Sequence, residues 1–200
     1  MMNLPQIGIS YIDSIPEEIF LEFRDNIFDQ NLDLRIEPRS DGDTHAVVEW
    51  LLPTAVVVYF AKSYFDGFLK EMGKDHYQLL KKGMNLLRRK LLEDSGHKIT
   101  LISTQGKVSE DNPFSHVLSI YAEADGKQRF KLLIQKGTSE SEYEEAINAF
   151  LSFLEAYHGM TLNSNMREKI ARTKMVGGTL LMAFNYNNKE IEPIDPSHKK

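Results

Sequence analysis

The chain has 200 residues, 42% hydrophobic and 26% charged, with a net charge of −5 and no cysteine. That composition belongs to a folded globular protein large enough to bury a core without cross-links, and it excludes disulfides, thiolate metal sites and cysteine nucleophiles. The negative balance argues against coating nucleic acid over the whole surface, while leaving room for a local basic patch.

The first ten residues lack a basic region followed by a long apolar one, so no secretory signal is expected there. Residues 6–12, QIGISYI, read as a strand. Asp13 or Ser14 can cap the helix that follows, with Pro16 in its first turn and Glu17 and Glu18 at its positive end. Ile19, Phe20, Phe23, Ile27 and Phe28 then recur at helical spacing. Residues 32–37, LDLRIE, alternate apolar and polar, which predicts a strand with one wet face ended by Pro38. The opening is therefore β-α-β, a parallel pair with a crossover helix.

Residues 46–94 are the organising stretch. Residues 50–61 are uncharged, but twelve residues with Pro53 among them fall short of the roughly 20 that a membrane span needs. The spacing predicts a strand over 46–52 and a helix begun by Pro53, with Ala55, Val58, Phe65, Leu69 and Met72 on one face. Gly73 is expected to break that helix, and Asp75 to cap a second one running to Glu93, with Gly96 as its stop.

Residues 98–104 read as a strand, and 116–122 and 128–135 as two more. Asp125-Gly126 between those two predicts a tight antiparallel hairpin. Ser139 with Glu142, or Ser141 with Glu144, is a capping box. Tyr143, Ile147, Phe150, Leu154 and Tyr157 follow as the clearest amphipathic stripe in the chain, and Gly159 ends it. A shorter helix is expected over 166–174, then a second hairpin around Asn187-Asn188. The class is α+β: one domain over 1–194 with a soft joint near 95–97, a mixed sheet, the opening β-α-β unit, later antiparallel hairpins, and a helical pair packed on one face. A loose tail covers 195–200.

Two groups of residues carry chemistry. On a helical wheel Lys74, Lys81, Lys82, Arg88 and Arg89 form a cationic arc beside the apolar stripe Leu80, Met84, Leu87 and Leu91. Such an arc fits an acidic partner, an anionic membrane surface or nucleic acid, although a solvated face on a core-packed helix is the plainer reading. The acidic residues Glu140, Glu142, Glu144 and Glu145 offer it a partner within the chain. The second group is Asp41, Asp43, His45 and Glu49, oxygen and nitrogen ligands suited to a divalent cation. If 46–52 is a strand, His45 and Glu49 stand about 13 Å apart along it, and a polar turn is the plainer reading. His76, His97, His116, His158 and His198 show no ligand spacing, and phosphate-loop and dinucleotide fingerprints are absent.

The leading functional reading is a non-catalytic cytoplasmic interaction or regulatory protein that binds another protein, with no cofactor. An apolar centre more exposed than a monomer tolerates makes a second copy of the chain one such partner. The alternative is a metal-dependent hydrolase of phosphodiesterase or nuclease type built on Asp41, Asp43, His45 and Glu49. A third reading is peripheral binding of anionic lipid or nucleic acid through the basic helix.

Overall fold

The computed structural model describes residues 5–40, 54–93, 113–126 and 128–195. Among them are β1 (Ile7–Ile12), α1 (Glu18–Ile27), β2 (Leu34–Arg39), β3 (Val56–Phe60), α2 (Leu69–Arg88), β4 (Phe114–Glu123), β5 (Arg129–Gln135), α3 (Glu140–His158), α4 (Ser164–Arg172), β6 (Thr179–Asn185) and β7 (Glu190–Ile194). The strands form one sheet in the order β2-β1-β3-β4-β5-β6-β7. Its ladders alternate: β1/β2, β3/β4 and β5/β6 are parallel, while β1/β3, β4/β5 and β6/β7 are antiparallel. Each parallel pair encloses a helical crossover, and each later antiparallel pair is a short connection, as the two kinds of ladder require. The fold class is the expected α+β, with the β-α-β opening and both hairpins in place.

The register puts Ile9, Val58, Ile120, Leu132 and Met182 in one row across five strands. This face carries the core. All four helices contribute to it through Phe20 and Phe23 of α1, Leu80, Met84 and Leu87 of α2, Tyr143 to Leu154 of α3, and Met166 of α4. Tyr11 stacks on Phe20 with ring centroids 4.0 Å apart, which pins α1 to β1. On the opposite face Ser119, Lys131 and Leu181 are also buried. There the Ser119 hydroxyl lies 2.7 Å from that of Thr54. Thr54 spends its own proton on the Val56 carbonyl, so Ser119 is the donor.

The centre of the chain departs from expectation. Val56–Phe60 is a strand, not the first half of a Pro53-started helix, so the helical pair is a strand followed by one long helix. Three consecutive valines stiffen χ1 and prefer the pleated backbone, and the sheet rewards them with two ladders. The helix begins after Ala61, passes through a π-helical turn at Tyr64–Phe68, and continues through Gly73 and Asp75 to a second π-helical turn at Arg89–Glu93. One glycine costs a helix about 1 kcal/mol, too little to break one whose Leu80, Met84, Leu87 and Leu91 are buried. Gly83 has a positive role: a Cβ there would lie 2.8 Å from Ile27 Cγ2 and 3.0 Å from Phe23 Cε2, so its absence sets how closely α1 and α2 cross.

Other boundaries shift slightly. α1 starts at Glu18 without a side-chain cap from Asp13 or Ser14. α4 covers Ser164–Arg172, with Asn163 Oδ1 accepting from the Met166 N–H at 2.8 Å. The capping box forms in the Ser139–Glu142 register. The expected strands over 46–52 and 98–104 lie outside the described residues, as do the Gly96 stop and the soft joint. No described helix is long and apolar enough to cross a membrane.

Candidate functional site

The cationic arc comes apart on folding. Lys82 and Arg89 are exposed, and half-buried Lys81 sits over the Tyr77 ring at 5.1 Å. Arg88 turns inward and is 2% exposed, its Nη2 donating to the Thr138 carbonyl at 3.0 Å and its guanidinium 5.8 Å from the Tyr143 ring. It is a core residue and presents no charge to a partner. The Lys74 side chain lies outside the described set. Two of the acids at the start of α3 are engaged elsewhere: Glu142 accepts from the Ser139 N–H and hydroxyl, and Glu145 pairs with Lys189. Asp41, Asp43, His45 and Glu49 all lie outside the described residues. Among the described residues no cluster of three or more histidine, aspartate or glutamate side chains could hold a metal ion.

Two histidine side chains are described, and they differ in kind. His76 is a satisfied core residue. Its Nε2 faces the Ile27 carbonyl at 2.9 Å and so carries the proton, which leaves Nδ1 to accept from the Tyr64 hydroxyl at 3.2 Å. His158 is 9% exposed, and neither ring nitrogen makes a well-formed hydrogen bond among the described residues, the Glu123 backbone being only a weak partner.

Local sequence explains how His158 reaches that position. The capping box starts α3, and the apolar stripe carries Phe150 and Leu154 to the core. One more step of four places His158 on the same stripe, in the last turn. The helix then ends at Gly159, and Met160 takes a left-handed backbone at φ 57°. Across from it, the π-helical turn carries Phe65, itself buried. The His158 ring stacks on Phe65 with centroids 5.3 Å apart and planes 18° apart, while Tyr157 meets it edge-on at 5.3 Å. A helix C-terminus ordinarily favours a protonated imidazole. Burial wins here and lowers the His158 pKa, with Lys62 acting in the same sense. Asp66, the Glu123 backbone and Asp125 oppose it. The ring is thus neutral near pH 7, with one N–H to give and one lone pair to offer.

His158 forms part of the wall of two clefts. The larger, of about 330 Å³, is bounded by Lys62, the Asp125 turn of the β4–β5 hairpin, Tyr157, Met160, Leu162, and Arg167 and Ile170 of α4. The smaller, of about 240 Å³, includes Phe65, Asp66, Lys70, Glu155 and Thr161. The polar groups around the larger cleft are tied in place. The Tyr157 hydroxyl donates to Asp125 Oδ2 at 2.8 Å, and burial, helped by this bond, pushes the phenol up to about 12. The Lys62 N–H donates to Glu123 Oε2 at 2.8 Å, and Lys62 Nζ stands 3.7 Å from Asp66. Arg167 donates from Nε to the Leu162 carbonyl and from Nη2 to the Met160 carbonyl, at 2.9 and 2.6 Å, satisfying the chain that leaves α3.

No family model, curated protein or solved structure matches the chain. Sequence reading passed over His158 as one of several scattered histidines. The signal that marks it is its phase: a histidine four residues beyond Leu154 falls on the buried stripe of a strongly patterned helix.

Proposed function

We propose that this chain is a non-catalytic interaction protein of the cytoplasm that binds another protein, with the larger cleft beside His158 as a contact point. The observation that carries the reading is the larger cleft itself, about 330 Å³ with Lys62 and Arg167 beside the apolar Leu162, Ile170 and Ala171. Clefts of that size, mostly apolar with a few polar groups, are where proteins receive ligand groups. Met160 adds to the reading: it lies on the cleft rim, 81% exposed, on a backbone that favours glycine. Exposed methionine is an adaptable contact residue, enriched where proteins meet. Binding is favoured over catalysis because the hydroxyls of the two described linings are already committed, Tyr157 to Asp125 and Thr161 to the Ala156 carbonyl.

The test is affinity purification from the native host with the wild-type chain, Met160→Glu and His158→Phe, alongside a measurement of solution mass. The reading expects a specific partner, a second copy of the chain included, that the wild type retains and both variants lose. A monomer with no specific partner, or a partner indifferent to both changes, contradicts it.

A further inference from the structure

Resting on that contact point, we infer that the group received beside His158 is the C-terminal residue of a partner chain, a free carboxylate next to an apolar side chain. Among the described residues, the charged groups of the larger cleft are Lys62, Arg167 and Asp125. Two cations against one carboxylate leave the lining positive, and that carboxylate already accepts the Tyr157 proton. Lys62 is held by its backbone but only loosely paired through its ammonium, since 3.7 Å to Asp66 is a surface contact worth at most about 1 kcal/mol. It can exchange Asp66 for an incoming anion at little cost. Arg167 is fixed by two carbonyls, and its Nη1 makes no hydrogen bond among the described residues. The His158 ring closes the wall beside them, with both of its nitrogens buried behind it. An ammonium ligand would meet Lys62 and Arg167 as like charges.

The rest of the lining is apolar: Leu162, Ile170 and Ala171, with Met160 at the rim. The occupant therefore needs an anion and a hydrocarbon group close together. In a chain-terminal residue both leave the same Cα, and the chain enters end-on. An internal aspartate or glutamate would bring backbone on both sides into a cleft of about 330 Å³, near the lower limit for ligand sites. A free branched alkanoate shares the chemistry, so the experiment separates the two sources.

The experiment uses the full chain with its histidines ¹⁵N-labelled. Four probes are titrated: acetyl-Ala-Ala-Leu as the free acid, the same peptide as its C-terminal amide, 4-methylpentanoate, and 3-methylbutylamine. The inference expects the peptide acid to shift the His158 ring signals and to bind at least about tenfold more tightly than its amide. Lys62→Gln should weaken the acid by about fivefold, and Lys62→Gln combined with Arg167→Gln, checked for folding by circular dichroism, should remove the preference for acid over amide. Equal binding of acid and amide, no binding of either peptide, tighter binding of the amine, or binding of 4-methylpentanoate without the peptide acid each overturns it. If a co-purified partner is lost in His158→Phe while the peptides show no preference for the acid, the contact point stands and the terminal carboxylate does not.

Discussion

Replacing His158 by phenylalanine should make the protein more stable, and the size of the gain follows from the structure. The imidazole stacks on Phe65 and meets Tyr157 edge-on, so a phenyl ring keeps the aromatic contacts. What it removes is one buried donor and one buried acceptor without well-formed hydrogen bonds among the described residues, since the Glu123 backbone is only a weak partner. Each such group costs about 1–3 kcal/mol, and a phenyl ring is slightly larger than an imidazole, which returns part of the gain. A net gain of about 2 kcal/mol is expected. For a chain of this length that raises the midpoint of thermal unfolding by about 4–8 °C. The pH dependence sharpens the test. The folded pKa of His158 lies below its ordinary 6.5, so below that pH the unfolded chain takes up the proton more readily than the folded one. Wild-type stability is fully present above pH 6.5 and falls as the pH drops from there toward the lowered folded value. The phenylalanine variant lacks this contribution, so its advantage should widen between pH 7.5 and pH 5. Paired thermal melts at the two values measure it. A variant less stable than wild type at pH 7.5, or an advantage that shrinks on acidification, would refute the reasoning.

Three further perturbations test the frame around the site. Ser139→Ala removes the capping box from α3 and should lower stability by about 1 kcal/mol in a urea melt, and an unchanged midpoint would show that the cap contributes nothing. Gly83→Ala would gain about 1 kcal/mol at an exposed helical position, but here the new methyl meets Ile27 and Phe23 at 2.8 and 3.0 Å. Overpacking of that kind costs about 1–3 kcal/mol, so a net loss near 1 kcal/mol is expected, and a stabilised variant would contradict the close crossing of α1 and α2. Lys131 is 2% exposed beside the Tyr121 ring, and burial lowers its pKa to about 8. The folded protein should therefore give up that proton well before the unfolded chain does, and stability should rise with pH between about 8 and 10.5. A ¹³C titration of its side chain with a midpoint of 10 or above would disprove this.

The frame was legible where local and global preferences agree. The β-α-β opening rests on Ile9 and Tyr11 pointing one way along β1 while Phe20 and Phe23 repeat at helical spacing, and both sets are buried against each other. The hairpin at Asp125-Gly126 needed a left-handed residue, and Gly126 sits at φ 67°. The capping box named the start of α3. Reading failed where two local signals competed. Pro53 announced a helix and Val56 to Val58 a strand, and the neighbours β1 and β4, unseen from this segment, decided for the strand. Arg88 failed differently. A helical wheel gives its angle, but Tyr143 and Thr138, about 50 residues away, close over it. His158 was half legible: its phase predicts burial, but its lack of hydrogen bonds depends on where Phe65 and Asp125 arrive. Nothing local to α3 specifies a π-helical turn on another element.

The most direct test of the account is the ¹⁵N spectrum of the His158 ring in the full chain at pH 7, before and after the acetyl-Ala-Ala-Leu acid is added. The account predicts a neutral ring in the free protein, one nitrogen protonated and one bare, with the ring signals shifting on addition of the acid and not of the amide. A ring already locked in a strong hydrogen bond in the free protein, and unmoved by either peptide, would contradict it.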